Sequence, residues 1–258
     1  MTTPTEQHYE RLLAAHYTWM TGGDVSAAAE DQAELLRGLG VAPVPSGPSG
    51  SSPAVDLGSG PGAQTLALAA LGFAPVVAVD TSQALLDELA TAAKRFPDAS
   101  IRPVRADIRT ALPELTTPGE TAAIVCMGDT LTHLPAKDDV PALLADAARA
   151  LAPGGRLVVS YRDLTRPLEG TDRFLPVRDD ADRILTCFLE YLDADTVRVH
   201  DLLHLRTPDG WTLHTGSYSK LRIAADWLAD RCREAGLEVS HDGVGPRGMR
   251  VLVATRPA

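Results

Sequence analysis

The run Val55-Asp56-Leu57-Gly58-Ser59-Gly60-Pro61-Gly62 constrains this chain more than any other stretch. A short apolar segment leads into it. An amphipathic segment follows, with Ala63, Leu66, Ala67, Ala70 and Leu71 near helical spacing. The three parts read as a strand, a glycine loop and a helix start. Glycine lets a backbone turn through positive φ and pass close to a ligand. The helix N-terminus behind the loop offers unpaired N–H groups and the positive end of a dipole. A nucleotide-like ligand is expected here.

Two ligands compete for the loop. Gly58, Gly60 and Ala63 satisfy the dinucleotide fingerprint, with Asp80 about 20 residues on. Asp56, two residues before the first glycine, argues the other way. A carboxylate there repels a pyrophosphate and suits a ligand carrying an ammonium group. The pattern Asp56-Leu57-Gly58-Ser59-Gly60-Pro61-Gly62 resembles the first motif of class I S-adenosylmethionine-dependent methyltransferases. Far downstream, Leu151-Ala152-Pro153-Gly154-Gly155-Arg156-Leu157 resembles a second stretch of the same family. The resemblance implies an α/β, Rossmann-like seven-stranded sheet in the order 3-2-1-4-5-7-6, with strand 7 antiparallel. It also implies S-adenosyl-L-methionine as cofactor and methyl transfer to a small molecule.

The elements between the motifs fit that plan. Pro75 to Asp80 reads as a buried strand ending in a carboxylate, and ligands of such sheets sit at strand carboxyl ends. Asp80 is expected to accept hydrogen bonds from two ribose hydroxyls. Thr81 stands beside it, and both Thr81 and Ser82 offer capping oxygens to the helix that follows. Ile101 to Ala106 is the next strand. Pro103 inside it cannot donate to a ladder, so this strand belongs at an edge, where the resemblance also puts strand 3. The resemblance assigns Asp107 to an adenine amino group and Ile108 to packing on the ring. Thr121 to Met127 is the fourth strand. Met127, Gly128 and Asp129 at its end are expected to border the cofactor, and His133 the reacting centre. Arg156 to Tyr161 is the fifth strand.

Five segments are expected. Residues 1–43 form an N-terminal helical lid, carrying Tyr9, Leu12, Leu13, His16, Tyr17 and Met20 near helical spacing. Residues 44–53, rich in proline, glycine and serine, read as a flexible linker. The S-adenosylmethionine-binding core spans 54–165, and 222–258 returns to it with the last helix and strands 6 and 7. Between them, 166–221 is an antiparallel cap insertion. Its strands are read as Arg183 to Tyr191, Thr196 to Leu205 and Trp211 to Ser219, the last two joined by a hairpin turn.

Methyl transfer needs an aligned acceptor and an unprotonated nucleophile. His133 is the first candidate base. Tyr17, Tyr161 and Arg162 are candidates for orienting the acceptor. His200 and His204 share one face of a cap strand, and alternation alone leaves open which way it looks. No histidine or cysteine spacing fits a metal site. The acceptor is read as a nitrogen or oxygen of a small molecule. Two alternatives stay open: other chemistry on the cofactor, such as cyclisation or a lyase reaction, and a non-catalytic binding module.

Composition narrows the partners. The 258 residues carry 24 basic and 34 acidic side chains, a net charge of −10. That argues against a general nucleic-acid or anionic-membrane surface. Three scattered cysteines suggest reduced thiols and a cytoplasmic setting. Abundant alanine and arginine with little lysine suggest a bacterial source. A monomer or homodimer is expected.

Overall fold

The structure, a computed structural model, describes residues 8–47 and 50–258, with only the backbone of Tyr9 and Glu10. The first seven residues of the expected lid, the Tyr9 side chain and residues 48 and 49 of the expected linker lie outside the described residues.

The central sheet is built from β1 (Ala54–Leu57), β2 (Val76–Asp80), β3 (Ile101–Arg105), β4 (Thr121–Cys126), β5 (Leu151–Tyr161), and two later strands, β10 (Glu238–Val244) and β11 (Arg250–Thr255). Their order is β10-β11-β5-β4-β1-β2-β3. β11 runs antiparallel to both β5 and β10, and the other neighbours are parallel. This is the expected seven-stranded order, with Pro103 on the edge strand β3 opposite Ala78.

Helices cover both faces because the central strands are apolar on both sides. One face packs under α2 (Val25–Gly38), α3 (Ala63–Ala70) and α4 (Gln83–Ala93) through Ala33, Leu36, Leu66, Leu68, Leu86 and Leu89. The other packs under α5 (Ile108–Leu115), α6 (Asp139–Ala150) and α7 (Ala225–Glu234) through Leu112, Leu143, Leu144 and Leu228. The expected lid of residues 1–43 therefore divides in two. Helix α2 belongs to the core layer, since Ala33 and Leu36 pack with Ala67 and Leu68 of α3. Only the irregular segment before it lies apart: a wide π turn (Tyr9–Leu13), a 3₁₀ turn (Ala14–His16) and α1 (Tyr17–Thr21).

The described part of the expected linker is folded back rather than free. The Ser46 and Gly47 amides donate to the Ser51 carbonyl, and the Ala74 amide donates to the Ser52 carbonyl. Ser46 Oγ donates to the Glu120 carbonyl at 2.8 Å.

The insertion is a four-stranded antiparallel sheet in the order β6-β7-β8-β9: β6 (Phe174–Asp179), β7 (Arg183–Tyr191), β8 (Thr196–Thr207) and β9 (Gly210–Leu221). The sequence reading missed β6, whose short run carries Pro176 and lacks strict alternation. One face of this cap is lined by Leu185, Leu189, Val199, Leu203 and Tyr218, which take up Leu13 and Trp19 of the N-terminal segment. His200 and His204 lie on the opposite, outer face, in register with Phe188 and Ile184. Among the described residues, no helix is long and apolar enough to cross a membrane.

Candidate active site

A cavity of about 970 Å³ opens at the carboxyl ends of β1, β4 and β5, between the glycine loop, the N-terminal segment and the inner face of the cap. Gly58, Ser59, Met127, Gly128 and Asp129 line it from the core. Tyr17, His133 and Arg162 line it as well, so three of the four residues read as catalytic candidates meet there.

The loop follows from its sequence. Gly58 has φ +76°, and a Cβ there would come within 2.3 Å of the Thr130 side chain. Gly62 has φ +103°, and a Cβ would come within 2.2 Å of Leu89 Cδ1. A side chain at either position is excluded by backbone conformation and by space. Tyr17 lies over the loop at Gly60. Ser59 is buried, and its hydroxyl has no hydrogen-bond partner among the described residues. A buried hydroxyl without a partner is costly.

Asp56 departs from expectation. Strand alternation turns it toward α3, where Thr65 Oγ1 donates to its Oδ2 at 2.6 Å. It is 1% exposed and does not line the cavity. Direct contact with a ligand ammonium is therefore not available to it. Burial pushes its pKa up to about 7, against the Thr65 hydrogen bond and with help from Asp80. Asp80 ends β2, and its carboxylate accepts from the Gly60 amide at 2.8 Å and the Ser82 amide at 2.9 Å. Thr81 is half-buried next to it. Asp107 caps α5 by accepting from the Arg109 amide at 2.9 Å, and its carboxylate also takes the Arg109 guanidinium. Burial works against the Asp107 charge, but the Arg109 bonds hold its pKa below the usual carboxylate value. Ile108 packs on the core from the first turn of α5. Asp80, Asp107 and Ile108 thus stand at adjacent strand ends and do not line the cavity.

The end of β4 is held by an unusual backbone. Gly128 and Asp129 both have positive φ, +71° and +76°, a conformation few non-glycine residues adopt. The turn is fixed by the Ser160 hydroxyl, which accepts from the Gly128 amide at 3.0 Å, and by the Ser160 carbonyl, which accepts from the Asp129 amide at 3.1 Å. Asp129 Oδ1 accepts from the Arg162 amide at 2.6 Å, and Oδ2 pairs with Lys220 Nζ at 3.0 Å. Burial opposes the Asp129 charge, yet Lys220 and the Arg162 amide bring its pKa below the ordinary value.

His133 ends the 3₁₀ turn Thr130–His133 that follows. Its ring meets Tyr218 of the cap edge-on, centroids 5.4 Å apart. Burial and the Lys220 charge push its pKa down to about 3, against the pull of Asp129. It is a neutral imidazole at physiological pH. Burial, with Asp80, Asp129 and Asp56 nearby, pushes the Tyr17 phenol well above its ordinary pKa. Tyr17 is therefore a phenol that can donate a hydrogen bond, not a base.

Tyr161 is corrected. Its neighbours Ser160 and Arg162 line the cavity, but Tyr161 is 1% exposed and packs into the core under α6 and α7. A strand sends alternate side chains to opposite faces, so Tyr161 points away from the cavity that Ser160 and Arg162 line. Two cap residues whose facing the sequence left open, Tyr218 and Lys220, line the cavity, and so do Cys187 and Asp201, which spacing did not reveal. Among the described residues, no group of three or more histidine, cysteine or carboxylate side chains is placed to hold a metal ion.

Comparison with known proteins agrees with this geometry. Residues 54–155 match a family described as "Methyltransferase domain". No curated protein matches the chain. Solved structures of similar fold include an S-adenosylmethionine-dependent methyltransferase from Clostridium acetobutylicum. It is 15% identical, with 97% of this chain and 99% of that one covered, at a TM-score of 0.71. An amino pentose methyltransferase of calicheamicin biosynthesis from Micromonospora echinaspora, solved with S-adenosylmethionine bound, is 20% identical. It covers 95% and 97% at a TM-score of 0.69. The 1,6-didemethyltoxoflavin-N1-methyltransferase of Burkholderia thailandensis, solved with S-adenosylhomocysteine, is 19% identical and covers 100% and 92% at 0.55. At these identities the likeness establishes the fold. Residues 54–155 thus match a methyltransferase domain, and the chain shares the fold of S-adenosylmethionine-dependent methyltransferases.

Proposed function

We propose that this chain transfers the methyl group of S-adenosylmethionine to a nitrogen or oxygen of a small molecule by in-line displacement. The observation that carries the reading is the cavity of about 970 Å³ in which the glycine loop faces the inner wall of the cap. Methyl transfer needs donor and acceptor aligned in one chamber. A cleft of this size suits small ligands. The names of two structural neighbours, an amino pentose methyltransferase and an N1-methyltransferase, lend support.

In this reading the cofactor is held by the loop residues Gly58, Ser59, Gly60 and Gly62, with the buried Ser59 hydroxyl as one polar partner. Asp80 and Thr81 serve the ribose, Asp107 and Ile108 the adenine, and Met127, Gly128 and Asp129 the amino-acid end. Asp56 acts indirectly, by bonding Thr65 and so fixing the start of α3 behind the loop. The cofactor supplies a methyl group already activated by the positive sulfur. The chain's task is then to position the acceptor and to take its proton. His133, neutral and lining the cavity, accepts a hydrogen bond from the acceptor's N–H or O–H as the methyl arrives and passes the proton on to solvent, since a group with a pKa of about 3 does not keep it. Tyr17 and Arg162 orient the acceptor by donating hydrogen bonds. The N-terminal segment up to Thr21 acts as the lid and residues 166–221 as the cap. The three cysteines are free thiols, which fits a bacterial cytoplasmic enzyme acting as a monomer or homodimer.

The test is incubation with S-adenosylmethionine carrying a tritiated methyl, against a panel of small amines, amino sugars and phenols. Label on an acceptor with matching S-adenosylhomocysteine is expected. Cofactor consumed while the label stays on a cofactor fragment would replace this reading with cyclisation or lyase chemistry.

A further inference from the structure

The inner face of the cap holds a socket built for one side chain. Asp201 on β8 and Gly216 on β9 are direct cross-strand partners. Because Gly216 has no side chain, a notch is left beside the Asp201 carboxylate. His8 fills it. Its Nε2 donates to Asp201 Oδ2 at 2.7 Å, with His8 7% and Asp201 1% exposed. A Cβ on Gly216 would lie 2.4 Å from both Cε1 and Nδ1 of His8. The second Asp201 oxygen accepts from Cys187 Sγ at 2.9 Å. The His8 ring stacks on Tyr218, centroids 5.0 Å apart, and Tyr218 in turn meets His133 edge-on.

The socket therefore joins two things that the mechanism keeps separate. On one side is the N-terminal segment, which spans from the cap to the core: Tyr17 covers the glycine loop at Gly60, and Thr18 Oγ1 donates to Glu88 of α4 at 2.5 Å. On the other is His133. We propose that His8 is a positioning residue: docked in the Gly216–Asp201 socket, it fastens the N-terminal segment across the cavity and braces Tyr218 against His133. The lid is then latched in the same movement that sets the candidate base, and release of His8 opens the route for ligands. A buried carboxylate bonded to an imidazole is a strong anchor, and its partners are 193 residues apart in the chain. The proposal rests on reading the cavity as the reaction chamber.

Three variants test it: His8→Ala, Gly216→Ala and the double variant. Gly216→Ala removes no polar group and only fills the notch, so it displaces His8 by contact alone. Hydrogen exchange at the amides of residues 11–21 is measured on the free protein. The probe for the cavity is S-adenosylhomocysteine, whose release rate is read by stopped flow. Histidine labelled at Cε1 reports the His133 ring by NMR. Both single variants are expected to speed exchange in 11–21 and to release S-adenosylhomocysteine roughly tenfold faster or more, as for loss of a hydrogen bond to a charged group. Both are expected to shift the His133 signal while His200, on the outer cap face, stays put. The double variant should be no worse than His8→Ala, since both changes act through one contact. Unchanged exchange and a stationary His133 signal would overturn the proposal, as would additive effects in the double variant. Failure of the wild-type protein to bind S-adenosylhomocysteine would overturn the reading of the chamber instead, and exchange in the free protein would still decide the latch.

Discussion

Asp129 and Lys220 join the end of β4 to the last cap strand through one buried ion pair, Nζ to Oδ2 at 3.0 Å, each side chain about 10% exposed. The pair ties the core, the cap and the candidate base together, because its two charges act in opposite directions on His133.

Replacing Lys220 with methionine is expected to cost on the order of 2 kcal/mol, since the buried Asp129 carboxylate loses its closest cation and keeps only Arg162 Nε at 3.4 Å. Urea unfolding at neutral pH measures this. The sign with pH follows from Asp129, whose folded pKa lies below its ordinary 3.8. Its stabilisation is present above that value and lost as pH falls through the folded one. The gap between wild type and Lys220→Met should therefore narrow below about pH 4; a gap constant with pH would mean that the pair does not hold the charge.

Asp56 carries the opposite sign. Its folded pKa is raised to about 7 from 3.8. The stability from keeping it protonated is full below its unfolded value and disappears as pH rises through the folded one. The Asp56→Asn variant keeps an oxygen for Thr65 but cannot ionise. Relative to it, the wild type should lose on the order of a few kcal/mol between about pH 4 and pH 8. Thermal melts of both proteins across that range are the check.

For His133, a pKa of about 3 means no ionisation between pH 5 and 8 in the free enzyme. The pH profile of kcat/KM, once an acceptor is found, should lack an acid limb from this residue. His133→Asn should slow methyl transfer by roughly 10²-fold or more while leaving S-adenosylhomocysteine affinity near wild type. A limb near pH 6.5 that vanishes in the variant would contradict the burial argument.

Asp80→Ala should weaken S-adenosylhomocysteine at least tenfold, as expected when a hydrogen-bonded charge is removed from a binding site. It also removes the acceptor for the Gly60 amide. Calorimetry measures the affinity, and unchanged binding refutes the ribose assignment.

The sheet was legible because each of its parts carries a local signal. Asp56 through Gly62 encode a strand, a loop that only glycine can make, and a helix start. Pro103 marked its own strand as an edge, and β3 is the edge. The second motif lies on β5, next to β4. Strand β6 escaped because Pro176 and a register shift near it break the period-2 pattern. Tyr161 was misplaced because a position at a strand's carboxyl end does not say which face a side chain takes. His8 and Asp201 could not be paired from sequence at all, since nothing in their surroundings links two residues 193 positions apart.

What the sequence determined alone is the class of fold and the kind of ligand. Both follow from backbone chemistry that few residues can supply at fixed spacing. What only tertiary structure decided is which side chains share the chamber: Lys220 against Asp129, Tyr218 against His133, His8 in the notch at Gly216. Those contacts depend on which face the cap turns to the core. That choice comes from burying Leu185, Leu189, Val199 and Leu203 against Leu13 and Trp19, because apolar burial across distant segments, not local propensity, sets how an inserted sheet lies.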